Sequence, residues 1–252
     1  MDSPCRKAFG ETTHGRGCGA SGRRLGSPPV REAMSSGTRT LSEHESKRRL
    51  ASAGVAVAPE RLAADAAEAE RAASELGFPV VVKLCGDRIA HKTERSLVRL
   101  GLTNVAQVRI AAEALLAAAR PEDGAVALLV ASMIPGRREL IAGCVQDPTF
   151  GPCVMLGIGG IFAEVLADVA FRLVPFDRTE ALDLIAELQN QAWLGPFRGE
   201  PAVDRERLAD VLVGLSRLME GDADVVSVDL NPLIVCDGEP IAVDALVEVR
   251  AS

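Results

Sequence analysis

Apolar residues show no period before residue 41; beyond it they fall into short runs punctuated by capping and turn residues. Ser42 followed by Glu45 is a capping box, in which the hydroxyl accepts an amide proton and the carboxylate reaches back. It predicts a helix to residue 53, ended by Gly54. Asp65 caps an Ala/Glu-rich run that stops at Gly77, and Asn104 caps a longer one to residue 119. Further helices are predicted at 178–189 and 204–218. Apolar, largely β-branched runs predict strands at 79–84, 97–102, 125–133, 139–145, 153–156, 162–166 and 169–174, with a short one at 55–58. The end of the chain reads as a strand and hairpin, 225–229, 233–236 and 241–245, around Asp237-Gly238. Helices and strands mix without strict alternation, which argues for an α+β fold with antiparallel pairs rather than a doubly wound sheet.

Residues 1–40 differ in composition. They hold seven of the 23 glycines and carry +4, which leaves −11 for the rest of a chain whose net charge is −7. The reading is a disordered segment, with Met34 a candidate start. At 252 residues the remainder has room for one large domain or two small lobes. Aromatic residues make up only 3% and there is no Tyr, so a nucleic-acid surface built on basic charge and stacking is not expected. The richest apolar stretch, 152–167, is interrupted by Gly157, Gly159, Gly160 and Glu164, so no membrane span is expected. The six cysteines form no C-x-x-C pair and the three histidines do not cluster with them. That disfavours zinc and points to thiols in a reducing cytoplasm.

Four constellations can carry chemistry. Lys83 sits alone on an otherwise apolar strand, Val80-Val-Val-Lys83. It reads first as a strand-end lysine snorkelling to solvent, and alternatively as the partner of a phosphate, since a buried ammonium needs an anion. His91 and Lys92 lie on an expected loop between two strands, either an exposed polar loop or a site where imidazole meets phosphate. The run Gly157-Ile-Gly-Gly160 follows a strand and allows backbone N–H groups close to phosphate oxygens. It matches neither G-x-G-x-x-G nor G-x-x-x-x-G-K-[ST], and a plain tight turn is equally compatible.

The fourth is the late hairpin. If Asp237-Gly238 is a two-residue turn, counting back places Asn231 opposite Asp244, with Asp229 on the same face as Asn231. Three oxygen-bearing side chains then converge, an arrangement suited to Mg²⁺ beside phosphates. A solvated outer face is the alternative, and Pro232 and Pro240 are positioned to shift the register.

Taken in order, these segments resemble the ATP-grasp fold. More closely, they resemble the ATP-grasp (β) subunit of NDP-forming acyl-CoA synthetases of the acetate–CoA ligase (ADP-forming) type. The resemblance runs from Leu41 to Val249 and rests on Leu41-Ser-Glu-His-Glu-Ser-Lys47, Gly77-Phe-Pro-Val-Val-Val-Lys83, His91-Lys-Thr93, Arg138-Glu-Leu-Ile-Ala-Gly143, Asp147-Pro-Thr-Phe-Gly-Pro152, Gly157-Ile-Gly-Gly-Ile-Phe-Ala-Glu164, Phe197-Arg-Gly-Glu-Pro201, and Asp229-Leu-Asn-Pro-Leu-Ile-Val235 with Ala242-Val-Asp-Ala245. It implies an α+β, two-lobed ATP-grasp fold with mixed or antiparallel sheets. The lobes would be 41–130 and 131–252, the second carrying the metal-binding hairpin. It further implies ATP/ADP and Mg²⁺ as cofactors. Lys83, Glu139, Gly159 and Gly160 would bind the nucleotide, Asn231, Asp244 and Asp229 the metal, and His91 would relay phosphate. The implied partner is a CoA-binding α subunit carrying a phosphohistidine, through which the small carboxylic acid or acyl-CoA is handled, so a hetero-oligomer is expected. A stand-alone ATP-grasp carboxylate ligase and a non-catalytic nucleotide-binding regulator stay open as alternatives.

Overall fold

A computed structural model of the chain describes residues 37–86, 88–89, 95–160 and 167–251. The predicted strand 162–166 and both His91 and Lys92 lie outside these residues. Two sheets organise the rest. The smaller has four strands, β2 (Glu60–Ala63), β3 (Val80–Cys85), β4 (Val98–Leu102) and β5 (Ala127–Ser132), in the order β2-β5-β3-β4. The larger has seven strands: β1 (Thr38–Thr40), β6 (Glu139–Asp147), β7 (Gly151–Ile158), β8 (Val169–Leu173), β9 (Val225–Cys236), β10 (Glu239–Ala242) and β11 (Leu246–Arg250). It runs β1-β11-β9-β6-β7-β8, with β10 also on β9. Every strand pair among the described residues is antiparallel. Among the described residues a parallel contact occurs only as the isolated bridge of Val57 with Ala242.

Two helices cover one face of the small sheet, α2 (Ala66–Leu76) and α3 (Val105–Ala117). Each starts where a side-chain oxygen takes an otherwise orphan amide: Asp65 accepts from Glu68 N–H at 2.8 Å and Asn104 from Gln107 N–H at 3.0 Å. Their small apolar residues meet Val80, Val82 and Leu84 of β3 in one core. The period of two then sends Val81, Lys83 and Cys85 to the opposite face. All six residues of β3 are buried, so that second face is also covered.

The large sheet packs against α1 (Glu43–Ser52), α4 (Arg178–Ala186), the short α5 (Gln191–Leu194) and α6 (Arg205–Gly221). Leu140, Ala142, Val228, Leu230, Leu233 and Val235 supply its core.

The expected boundaries move at the N-terminal end. Residues 38–40, expected to be disordered, form a strand on β11. Leu41, Leu50 and Val55 sit in the core of the large sheet, not the small one. The reason is a long-range bond pattern. Leu41 N–H donates to Val247 O at 2.9 Å, and buried Ser46 Oγ accepts from Val247 N–H at 3.1 Å. Helix α1 is thereby fixed to β11, and the unit around the small sheet begins near residue 59. The strand expected at 55–58 is only the Val57 bridge, and the next true strand is β2. The helix expected at 178–189 ends at residue 186 and a separate turn, α5, follows.

Candidate functional site

The late hairpin has the register counted from its turn. Glu239 faces Cys236, and the frame runs through Ala242 opposite Leu233. β10 then stops, yet β11 resumes in the same frame, with Leu246 opposite Asp229. Residues 243–245 lie between, so Asn231 stands opposite Asp244. Neither proline shifts the frame. Both strands do skip a beat together. On β9 the core residues are Val228 and Leu230, then Leu233 and Val235; across from them they are Ala242, then Ala245 and Val247. The skipped positions turn outward, away from the helices. Asp229 and Asn231 are exposed and Asp244 is half-exposed.

Glu139 shares this outward face, because it pairs with Ile234 while Leu140 pairs with core Leu233. It also lies against the glycine turn. Gly159 N–H donates to Glu139 O at 2.9 Å, and a Cβ on Gly160 would come within 3.5 Å of Glu139 Oε2. Gly160 has φ +76°, a conformation that favours glycine.

Lys83 reaches the hairpin from the other sheet. Its Nζ donates to Val243 O at 3.1 Å and lies 3.7 Å from Asp244 Oδ1. It also donates to Glu43 Oε1 at 2.7 Å. Lys83 therefore bridges the two sheets at their facing sides rather than snorkelling to solvent. Asp229, Asn231, Asp244 and Glu139 occupy one face and Lys83 crosses to it. His91 lies outside the described residues.

Sequence reading missed the groups that hold this arrangement. Glu43 is fully buried and its Oε1 also accepts from Lys47 Nζ at 2.8 Å. Lys47 donates in turn to Glu60 Oε2 at 2.9 Å, and Glu60 Oε1 lies 2.8 Å from His44 Nδ1. Burial pulls the Lys47 ammonium toward its neutral form, but the carboxylates of Glu43 and Glu60 overcome this and hold its pKa above the usual lysine value. The i,i+4 spacing of Glu43 and Lys47 was a visible signal, although such a pair ordinarily marks a solvated helix face.

A second missed anchor is Arg138, with no exposed surface. Its guanidinium donates to Glu200 Oε2 at 3.1 Å, to Gly195 O at 2.7 Å, to Trp193 O at 3.4 Å and to Pro201 O. Arg137 N–H donates to Glu200 Oε1 at 3.0 Å. The Phe197-Arg-Gly-Glu-Pro201 segment is thus tied to the start of β6, next to Glu139.

The donor set tests what cation fits. Asp229, Asn231 and Asp244 offer oxygen only, and on a two-residue period their side chains are neighbours across the ladder. Among the described residues no group of three His, Cys, Asp or Glu is placed to hold a metal. Two carboxylates and an amide fit a hard cation that takes few protein ligands and fills its shell with phosphate and water oxygens.

Comparison with known proteins follows the same lines. The model of the ATP-grasp domain family matches residues 32–249. The β subunit of acetate–CoA ligase [ADP-forming] I from Pyrococcus furiosus is 36% identical over 210 residues, 82% of this chain and 90% of that one. The 4-hydroxybutyrate–CoA ligase [ADP-forming] of Nitrosopumilus maritimus is 36% identical over 78% of this chain, which spans only 29% of that longer protein. Among solved structures, a chain of acetyl-coenzyme A synthetase 1 from Ca. Korarchaeum cryptofilum, in complex with coenzyme A and Ca-AMPCP, superposes with a TM-score of 0.78. It is 34% identical, with 84% of this chain and 94% of that chain covered. Another structure of that synthetase, with Mg-AMPPCP, has a phosphohistidine segment pointing towards the nucleotide-binding site (TM-score 0.73, 35% identical, 84% of this chain and 93% of that chain covered).

Proposed function

This chain belongs to the ATP-grasp family, alongside the β subunits of ADP-forming acetate–CoA ligases, and from that premise we propose that it is the nucleotide-binding subunit of an ADP-forming acyl-CoA synthetase. It passes a phosphoryl group between a phosphohistidine on a CoA-binding partner and ADP. The net reaction is acyl-CoA + ADP + phosphate ⇌ carboxylate + CoA + ATP. In the step on this subunit the N–P bond to histidine breaks and an O–P bond to the terminal oxygen of ADP forms.

The observation that carries this reading is Lys83 crossing between sheets to meet the hairpin at Val243 O and Asp244. An ammonium there offsets phosphate charge as it redistributes, and in phosphoryl transfer positioning and electrostatics do most of the work. Asn231, Asp244 and Asp229 would hold Mg²⁺, which supplies further charge neutralisation when bound. Glu139 would hold the nucleoside end, and the turn at Gly159 and Gly160, whose Gly159 N–H is held by Glu139 O, would let the backbone come close to the phosphates. His91 is the proposed relay on this chain, since a neutral imidazole is nucleophilic near neutral pH. The Korarchaeum synthetase in complex with coenzyme A and Mg-AMPPCP, its phosphohistidine segment pointing towards the nucleotide-binding site, supports the same division of labour.

Calorimetric titration of the full chain with ADP tests it. Binding should require Mg²⁺, and K83M should weaken it by at least about 10-fold, the loss of one or more charge-assisted hydrogen bonds. The chain should form no acyl-CoA until a CoA-binding partner is added. ADP affinity unchanged in K83M refutes the site. Turnover by the lone chain refutes the partnership and favours a stand-alone ligase.

A further inference from the structure

We propose that Glu43 is a positioning residue for the nucleotide phosphates: its buried carboxylate fixes the ammonium of Lys83 so that one N–H is left aimed at the open face of the hairpin. The proposal rests on the phosphate-binding role given above to Lys83. Three observations carry it.

First, Glu43 Oε1 is shared. It accepts from Lys83 Nζ at 2.7 Å and from Lys47 Nζ at 2.8 Å, with the Glu43 side chain fully buried. An ammonium has three donors. Glu43 takes one and Val243 O, at 3.1 Å, a second. Among the described residues the next acceptor is Asp244 Oδ1 at 3.7 Å, beyond hydrogen-bond range. The third N–H is thus left without an acceptor in hydrogen-bond range among the described residues, on a nitrogen 3.7 Å from the carboxylate that shares a rung with Asn231, and a phosphate oxygen arriving at that rung would come within its reach.

Second, the charges balance in a chain. Glu60, Lys47, Glu43 and Lys83 alternate in sign, linked at 2.9, 2.8 and 2.7 Å. Lys47 keeps Glu43 paired when Lys83 turns part of its attention to phosphate, so no buried carboxylate is stranded. A single Glu–Lys pair lacks this property.

Third, the two ends stand on different units. Glu43 opens α1, which is bonded to β11 of the large sheet, whereas Lys83 is on the central β3 of the small sheet. The carboxylate therefore sets where the small sheet's lysine stands relative to the large sheet's oxygen ligands.

The experiment separates positioning from scaffolding by comparing ADP with adenosine, which lacks the phosphates. Full-length wild type, E43Q and K83M are titrated with each in the presence of Mg²⁺. E43Q keeps the side-chain shape and removes the charge. The expected result is an ADP affinity about 10-fold weaker, the scale of a misplaced charge-assisted hydrogen bond, with adenosine affinity unchanged. Equal losses for both ligands would make Glu43 part of the scaffold and overturn the proposal. ADP affinity intact in E43Q but lost in K83M overturns it as well and leaves the role of Lys83 standing. ADP affinity intact in K83M removes that role itself. If E43Q does not fold, E43D supplies the same comparison, since its shorter arm cannot reach both lysines.

Discussion

Arg138 gives a quantitative test of how the loop beside the glycine turn is held. Replacing it with Met keeps an unbranched side chain of comparable reach but removes every donor. The guanidinium has no exposed surface and its partner Glu200 is 22% exposed. Breaking one side of a buried ion pair costs about 3–5 kcal/mol. Glu200 retains the Arg137 amide at 3.0 Å and some water, so the lower end, about 3 kcal/mol, applies. For a chain of this size that corresponds to a Tm lower by roughly 6–12 °C. R138K should recover only part of the loss, because a point charge cannot serve four acceptors spread across a fork. The single tryptophan makes the effect local as well as global: Trp193 O is one of those acceptors. In urea, Trp193 fluorescence of R138M should change before the circular dichroism does, whereas the two coincide in wild type. Combining R138M with E200Q should give a coupling of about 0.5–3 kcal/mol. A loss below about 1 kcal/mol, no more than one ordinary net hydrogen bond, with coincident transitions, would refute the reasoning.

Three further outcomes follow from other sites. Asp123 accepts both Arg95 N–H groups, at 2.6 and 2.9 Å, and these bonds outweigh burial and bring its pKa down to about 2. Because the folded value is below the unfolded one, Asp123 stabilises the fold above about pH 4 and loses this as pH falls toward 2; D123N should flatten that limb of an acid-unfolding curve, and an identical limb would count against it. Burial pushes both the Cys144 and the Cys236 thiols above their ordinary pKa, but Cys144 is enclosed and Cys236 half-exposed, so brief alkylation of native protein followed by peptide mapping should label Cys236 and spare Cys144; equal labelling would contradict the packing. At Gly143 a Cβ would sit 2.5 Å from Val228 O across the β6–β9 ladder, so G143A should cost about 1–3 kcal/mol in chemical denaturation, and a neutral result would mean that these strands separate more easily than their register implies.

What could be read from the sequence was local. The caps at Ser42, Asp65 and Asn104, the apolar strand that carries Lys83, and the two-residue turn at Asp237-Gly238 are set by neighbours within a few residues. The ATP-grasp fold came from the order of such segments. The errors lie where a distant partner decides. Glu60-Arg-Leu-Ala63 carries no alternation and becomes a strand only through β5. Helix α1 joins the large sheet through Ser46 and Val247, 201 residues apart. Glu43 looked like an acidic residue of a first turn, welcome at the positive end of a helix, and nothing near it announces Lys83, 40 residues on. Arg138 likewise finds Glu200 62 residues away. Buried charge is decided by tertiary proximity, which helical and strand periods do not encode.

The hairpin shows how a backbone deficit can specify a site. Val243 N–H donates to Pro232 O at 3.3 Å. In an antiparallel ladder the partner residue would return a bond from its own N–H to Val243 O. Proline has no N–H, so Val243 O is left without its ladder donor, and that carbonyl is the one that accepts from Lys83. The neighbouring rung, Asn231 with Asp244, is then of the non-hydrogen-bonded kind, in which facing side chains approach most closely. One residue thus supplies an acceptor for the Lys83 ammonium from the other sheet, and the alternation of the ladder places two oxygen-bearing side chains, Asn231 and Asp244, beside it. Because the side-chain period is two, a slip of one residue would send Asp244 inward and exchange Val243 for a neighbour whose carbonyl points elsewhere. The common frame of β10 and β11 across the gap is therefore a condition for Lys83 and the hairpin oxygens to meet at all.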